Sequence, residues 1–169
     1  LPEAVVEGIT SQYGDALPLF CDPVSSAYAR RLKPYVGKVH TLKPNRMELT
    51  VLTGHDTDTP KGVKAACEIL LCRGVKRIFV SMGHEGCLYM DSEGNVVQRA
   101  LSPIENIANA SGAGDAFTAA VIYSYLKGFG INRTIDYALA AGAVAVSAAT
   151  TINPEISPEL IEKIIIERG

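Results

Sequence analysis

The chain has 169 residues, enough for one domain with a substantial core and too few for two. Its 47% hydrophobic and 20% charged residues are the balance of a soluble globular protein and exclude a disordered one. A net charge of −2 leaves no basic footprint for nucleic acid, and the most apolar stretch, 137–149, is interrupted by Gly142 and too short to span a membrane.

Short apolar runs alternate with helical periodicity, the pattern of βα units and a mainly parallel sheet. Pro2–Gln12 is predicted as a helix, and Leu17–Cys21 as a short strand ending at Asp22. A helix is expected over Ser25–Leu32 and a strand over Lys38–Lys43, which must end there because Pro44 forces Lys43 into extended geometry. Asn45–Thr53 reads as a short helix closed by Gly54. Thr59 and Pro60 supply the cap and first position of a helix running to about Arg73, with Gly74 stopping it. Arg77–Met82 is the next strand. Gly83–Gly86 turns the chain, and Cys87–Met90 with Val96–Arg99 reads as a hairpin around Ser92–Asn95. Helices are then expected over Ala113–Lys127, Thr134–Ala149 and Ser157–Glu167. No repeat, low-complexity tract or linker divides residues 1–169, so one α/β unit is expected.

Cys21, Cys67, Cys72 and Cys87 lack CxxC spacing and lie in apolar segments, so reduced core thiols in a cytoplasmic protein are expected. The three histidines are scattered and carry no assigned chemistry. The first residues show no charged-then-apolar pattern, so export is not expected. Because the chain opens at Leu1 without a methionine, a fragment or processed chain is expected.

Four segments carry candidate chemistry. Ser111-Gly112-Ala113-Gly114-Asp115 stands at the mouth of a helix in which Phe117, Ala120, Val121, Ser124 and Tyr125 recur at helical spacing. Glycines there free the first amides to face an anion, which the helix dipole favours. By itself the segment could equally be a glycine turn with an aspartate complementing the dipole. Lys43-Pro44-Asn45-Arg46-Met47-Glu48 follows a strand; Asn45 and Glu48 have the capping-box offset, so helix capping alone would explain them. Ser81–Gly86 is a strand-to-strand loop that in isolation is only a turn. Ala138–Ser147 is a helix of small residues, suited either to close core packing or to a flat base lying against the backbone.

Together these strings resemble the ribokinase (PfkB) carbohydrate kinase family. Asn109-Ala-Ser-Gly-Ala-Gly-Asp-Ala-Phe117 is similar to that family's Asp-Thr-x-Gly-Ala-Gly-Asp-x-Phe. The resemblance implies that Asp115 is the base for the acceptor hydroxyl and that Gly112, Ala113 and Gly114 form the anion hole. Asn45 and Glu48 match Asn-x-x-Glu, linked in the family to Mg²⁺ and phosphate, with Lys43 as a phosphate-neutralising cation. Ser81, Gly83 and Gly86 match Thr-x-Gly-x-x-Gly, which contacts nucleotide phosphates. Some of Leu139, Gly142 and Ala143 would line the adenine.

The implied protein is an ATP- and Mg²⁺-dependent kinase of a sugar or nucleoside hydroxyl, with a ribokinase-like α/β fold and one antiparallel hairpin. Asn109 replaces an aspartate associated with a monovalent cation, so strong potassium dependence is not expected. That asparagine, Lys43-Pro44-Asn45 and Asn153-Pro-Glu-Ile-Ser157 resemble the pseudouridine kinase branch. Family members are close to twice as long. The N-terminal part, which holds the Gly-Gly signature, the sugar contacts and the lid, is therefore expected to be absent. Self-association or pairing with that half is expected. Two alternatives stand beside this reading. One is a nucleotide-binding fragment without catalysis. The other is a vitamin-precursor kinase of the same fold, which usually departs in the Asn-x-x-Glu segment.

Overall fold

A computed structural model describes residues 1–102, 112–148, 150 and 152–168. Its internal contacts divide the chain into two compact units, one of Leu1–Met82 with Leu88–Val97 and one of Gly83–Cys87 with Gln98–Gly169.

The first unit contains α1 (Glu3–Tyr13), β1 (Phe20–Cys21), α2 (Ser26–Leu32), β2 (Thr41–Leu42), α3 (Arg46–Thr53), α4 (Pro60–Cys72) and β3 (Arg77–Ser81). β4 (Cys87–Asp91) and β5 (Val96–Arg99) complete a five-stranded sheet of order β1-β2-β3-β4-β5. β1 pairs in parallel with β2, and β2 with β3. The Ser92 N–H donates to Lys76 O at 3.0 Å, joining the end of β4 to the start of β3, and the Asp91 N–H donates to Asn95 O at 3.2 Å. The expected hairpin is therefore present, and its antiparallel pairing reaches back to β3, whose five-residue connection is too short for a crossover.

The helix starts follow their caps. Thr59 Oγ1 accepts the Gly62 N–H at 3.1 Å with Pro60 in the first position, and α3 ends on Gly54 at φ 79°. Strand lengths depart from expectation. β1 and β2 have two residues each, because the ladder begins with shared acceptors: His40 and Thr41 N–H both donate to Leu19 O, and Lys76 and Arg77 N–H both to His40 O.

Side chains of α2, α3 and α4 pack with β2, β3 and β4 in one cluster that includes Ala29, Leu49, Val63, Leu70, Ile78 and Val80. Alternation along the strands turns Phe79 and Tyr89 to the opposite face, where their rings lie 4.8 Å apart. Asp91 fastens the hairpin by accepting from the Tyr89 hydroxyl and from the N–H groups of Glu93 and Asn95. Cys67 and Cys87 are core thiols as expected and Cys21 is half-buried; Cys72, on the last turn of α4, is exposed and corrects the expectation that all four are buried.

The second unit is built on α5 (Ala113–Leu126), α6 (Ile131–Val146) and α7 (Pro158–Arg168). α6 starts three residues earlier than expected, with Gly130 extended at its N-cap and its carbonyl accepting the Thr134 N–H. Phe117, Ala120 and Val121 of α5 are buried, as are Ala138, Ala141 and Val144 of α6. Tyr125, expected on that face, is 38% exposed. Tyr123 stacks on Tyr137 at 5.5 Å, and Phe129 meets both rings edge-on. Buried Asn153 donates to Val144 O at 2.9 Å, giving a carbonyl in the last turn of α6 a partner. Among the described residues no helix is long and apolar enough to cross a membrane.

Candidate functional site

Several of the sequence-predicted residues lie at the C-terminal ends of β1, β2 and β3, the end at which open α/β sheets bind ligands. The registers Cys21↔Leu42 and Asn45↔Ser81 bring Asp22, the Lys43–Glu48 segment and Ser81 to adjacent strand ends. The capping box is complete: the Glu48 N–H donates to Asn45 Oδ1, and the Asn45 N–H to Glu48 Oε2, both at 2.9 Å. Glu48 is buried, at 2% exposure. Burial pushes its carboxyl above the ordinary value and the Asp22 charge adds to this, while the Asn45 amide and Lys43 oppose it.

Lys43 is buried as well, and its Nζ lies 2.9 Å from Asp22 Oδ2. Sequence reasoning missed Asp22, whose partner is 21 residues away and reached only through the parallel register. A signal was present: Asp22-Pro23 and Lys43-Pro44 each place a charged residue before a proline at the end of an apolar strand. Burial, followed by the charges of Asp22 and Glu48, also drives the neighbouring Cys21 thiol up to about 11.

The donor chemistry at this end is hard oxygen, from the carboxylates of Glu48 and Asp22 and the amide of Asn45. That set fits Mg²⁺, which takes one or two carboxylates and fills its remaining positions with water and phosphate. Among the described residues no three His, Cys, Asp or Glu side chains form a closed metal cage.

In the second unit, Gly112 is the N-cap of α5 in the left-handed conformation, φ 83°, and offers no side-chain cap. As at any helix start, the amides of the first turn have no acceptor within the helix. Asp115 in that turn is exposed. Asn109 and Ser111, the start of the string, lie outside the described residues. α6 passes close by: a Cβ added at Gly142 would sit 3.6 Å from Ala113 O. Leu139, Gly142 and Ala143 are half-buried and share a face of a helix otherwise largely buried. Thus the expected anion-hole and adenine-lining residues come together here.

The loop after β3 forms a single 3-10 turn, Gly83–Glu85. Gly83 (φ 61°) and Gly86 (φ 81°) are both left-handed; Gly83 faces open space, while a Cβ on Gly86 would run into the backbone of Arg99 and Ala100.

A profile of the pfkB family carbohydrate kinases matches residues 2–158. The chain belongs to this family. It is 32% identical over 142 residues to a pseudouridine kinase of Escherichia coli, a match covering 83% of this chain and 45% of the relative. A 1-phosphofructokinase of Haemophilus influenzae is 29% identical over 167 residues, covering 98% and 52%. The chain thus spans about half the length of these relatives. The structure of Arabidopsis thaliana ribokinase complexed with ribose and ATP superposes with a TM-score of 0.85 at 23% identity, over 97% of this chain and 53% of that one. The fold is ribokinase-like: a mixed five-stranded sheet flanked by helices.

Proposed function

We propose that this pfkB chain is the nucleotide-binding and catalytic part of an ATP-dependent kinase that phosphorylates a hydroxyl of a sugar or nucleoside. The observation that carries the reading is the mouth of α5, where left-handed Gly112, first-turn amides that no carbonyl within the helix can satisfy, and the exposed Asp115 share one turn. Phosphoryl transfer asks for positioned donors around the moving group and a base for the acceptor proton. The amides following Gly112 would take the negative charge of the transferred group, and Asp115 would accept the hydroxyl proton. Half-buried Leu139, Gly142 and Ala143 would receive the adenine, and Ser81, Gly83 and Gly86 the remaining phosphates. Mg²⁺, held through Glu48 and Asn45, would supply charge neutralisation of the phosphates. Pseudouridine is the first acceptor to test, on the strength of the similarity to a pseudouridine kinase. We place the protein in the cytoplasm, with no strong potassium dependence.

Coverage of about half of each relative favours a second reading, nucleotide binding without turnover by this chain alone. β1 has one strand neighbour among the described residues, and Val5, Ile9, Tyr13 and Leu17 beside it are 39–56% exposed. A cavity of about 400 Å³ opens between α1, β1 and α2, lined by Val6, Ile9, Leu19, Phe20 and Tyr28. An uncovered edge beside apolar surface invites association. We therefore expect this face to pair with the complementary half of a pfkB fold, or with itself.

Calorimetric titration with Mg·ATP tests the core of the proposal. Saturable binding that is lost in Gly114→Val is expected, and binding that survives this change would place the nucleotide elsewhere. An ADP-release assay with pseudouridine and with ribose, run with and without the N-terminal half of a relative, separates the two readings. Turnover only with the added half supports the kinase. Full turnover by the monomeric chain alone would remove the need for pairing.

A further inference from the structure

Arg99, the last residue of β5, touches two of the proposed ligand segments with different parts of itself. Its main chain lies against the loop after β3: a Cβ added at Gly86 would run into Arg99 O and Ala100 Cα, so the second glycine of that loop and the end of β5 are in backbone contact. Its side chain turns to α6, where Nη1 donates to both carboxylate oxygens of Asp136, at 2.9 and 3.0 Å. Asp136 is half-buried and starts a stripe of α6 that continues three, six and seven residues on with half-buried Leu139, Gly142 and Ala143. Further along that stripe Gly142 comes close to Ala113 O at the start of α5. All of these residues belong to the second unit.

A nucleotide held by its phosphates at Gly83 and Gly86 and by its base on α6 gains fully from both contacts only if their spacing is set beforehand. Otherwise the cost of ordering the two segments is subtracted when the second contact forms. One residue fixed to the loop by its backbone and to the helix by its guanidinium can set that spacing. We propose that Arg99 is a positioning residue, held by Asp136, that couples the phosphate loop to the base-binding face of α6, so that base and polyphosphate are bound as a single ligand. The two side chains are 42% and 23% exposed, and a pair so open to water contributes little to stability. Its loss should therefore leave the fold intact and disturb alignment alone. This inference rests on the nucleotide-binding reading above.

The test compares Mg·ATP with Mg·tripolyphosphate, which has the phosphate chain without the nucleoside. ATP is titrated calorimetrically and tripolyphosphate by its displacement of ATP, and the quantity read is the ratio of dissociation constants, tripolyphosphate over ATP. Arg99→Met and Asp136→Ala should each lower the ratio about threefold, the scale of one half-exposed ion pair, by weakening ATP while tripolyphosphate stays as in the wild type. A merely structural role weakens both ligands together and leaves the ratio alone. If Arg99→Met does not fold, Asp136→Ala decides by itself. Where tripolyphosphate displaces too little ATP to give a constant, the ATP constants of the two variants and their double decide: coupling requires the double to lose no more than either single, and additive losses overturn it. A ratio lowered by Arg99→Met but not by Asp136→Ala also overturns the proposal, because Arg99 would then act on the base without its partner. Folded variants that both keep the wild-type ratio overturn it while leaving nucleotide binding intact. A wild-type chain that binds neither ATP nor tripolyphosphate ends the nucleotide reading, and this inference with it.

Discussion

The strand ends of the first unit and the mouth of α5 in the second are both candidate phosphate-handling regions, yet they are built by opposite means. At the strand ends the polar groups are side chains already engaged with one another: Asn45 with Glu48, and Lys43 with Asp22. At α5 the donors are backbone amides, Gly112 contributes no side-chain partner, and Asp115 stands exposed. A region whose polar groups satisfy each other is set in shape before a ligand arrives. A region whose donors are the first amides of a helix, which no intrahelical carbonyl can satisfy, is suited to meet a charge that arrives later. Chemistry that depends on charge appearing in a transition state belongs with the second kind, and the fixing of a metal-bearing phosphate with the first.

The contrast can be broken most forcefully at Asp115. In the chain supplied with its complementary half, Asp115→Asn should lower turnover by at least ~10²-fold, the lower end for a general base, with ATP affinity little changed. Near-normal turnover would reduce Asp115 to a helix cap and erase the difference between the regions.

Next in size is the hairpin that carries the chain between the two units. Asp91→Ala strands the buried Tyr89 hydroxyl and removes the acceptor for two turn amides. A loss of about 2–3 kcal/mol in urea unfolding is expected from those unmet hydrogen bonds. Burial raises the Asp91 carboxyl, but hydrogen bonds from Asn95, Tyr89 and Glu93 outweigh it and hold it below its ordinary value. The stabilisation is therefore fully present above the ordinary carboxylate range and disappears as pH falls through the lower, folded value. Asp91→Asn should flatten that acid limb, and an unchanged limb would show that the carboxylate is not the source.

Gly83 and Gly86 sharpen the comparison within one loop. Gly86→Ala should destabilise strongly or block folding, because the added carbon meets the backbone of Arg99 and Ala100. Gly83→Ala has open space and should cost only about 1 kcal/mol for its left-handed backbone. Equal thermal shifts in the two variants would contradict this account.

Smallest is Asn45→Ala, a lost N-cap costing about 1 kcal/mol in chemical denaturation. A cost near zero would mean that the box does not hold the strand ends in shape.

Much of this was legible in the sequence because it is local. Asn45 with Glu48, and Thr59 with Pro60, act over three residues or fewer, and the structure realises both caps. The hairpin was legible because its two strands are separated by only Ser92–Asn95. Gly142 beside Ala113 could be anticipated only through the family resemblance, since nothing local joins residues so far apart. Asp22 was missed because its meaning depends on which strand lies next to β1. Strand length failed for a similar reason: the pairing starts on acceptors shared by two amides, Leu19 O and His40 O on the neighbouring segments, which hydrophobicity does not encode. Tyr125 and Cys72 fit an apolar periodicity, but each sits in the last turn of its helix on the exposed side, next to the buried Ser124 and Leu70 of those turns.

The uneven burial of the cysteines has a practical side. Cys67 and Cys87 are shielded, with burial driving the Cys67 thiol up to about 12, and Cys21 is held in its protonated form by burial and then by the charges of Asp22 and Glu48. Thiol reagents need both access and a thiolate. At neutral pH a maleimide dye should therefore attach at Cys72 well before the other three, without any engineered residue. That position, at the end of α4, belongs to none of the segments proposed to contact a ligand. A fluorophore there would report the unfolding of the first unit separately from events at α5, turning an incidental surface thiol into a built-in gauge.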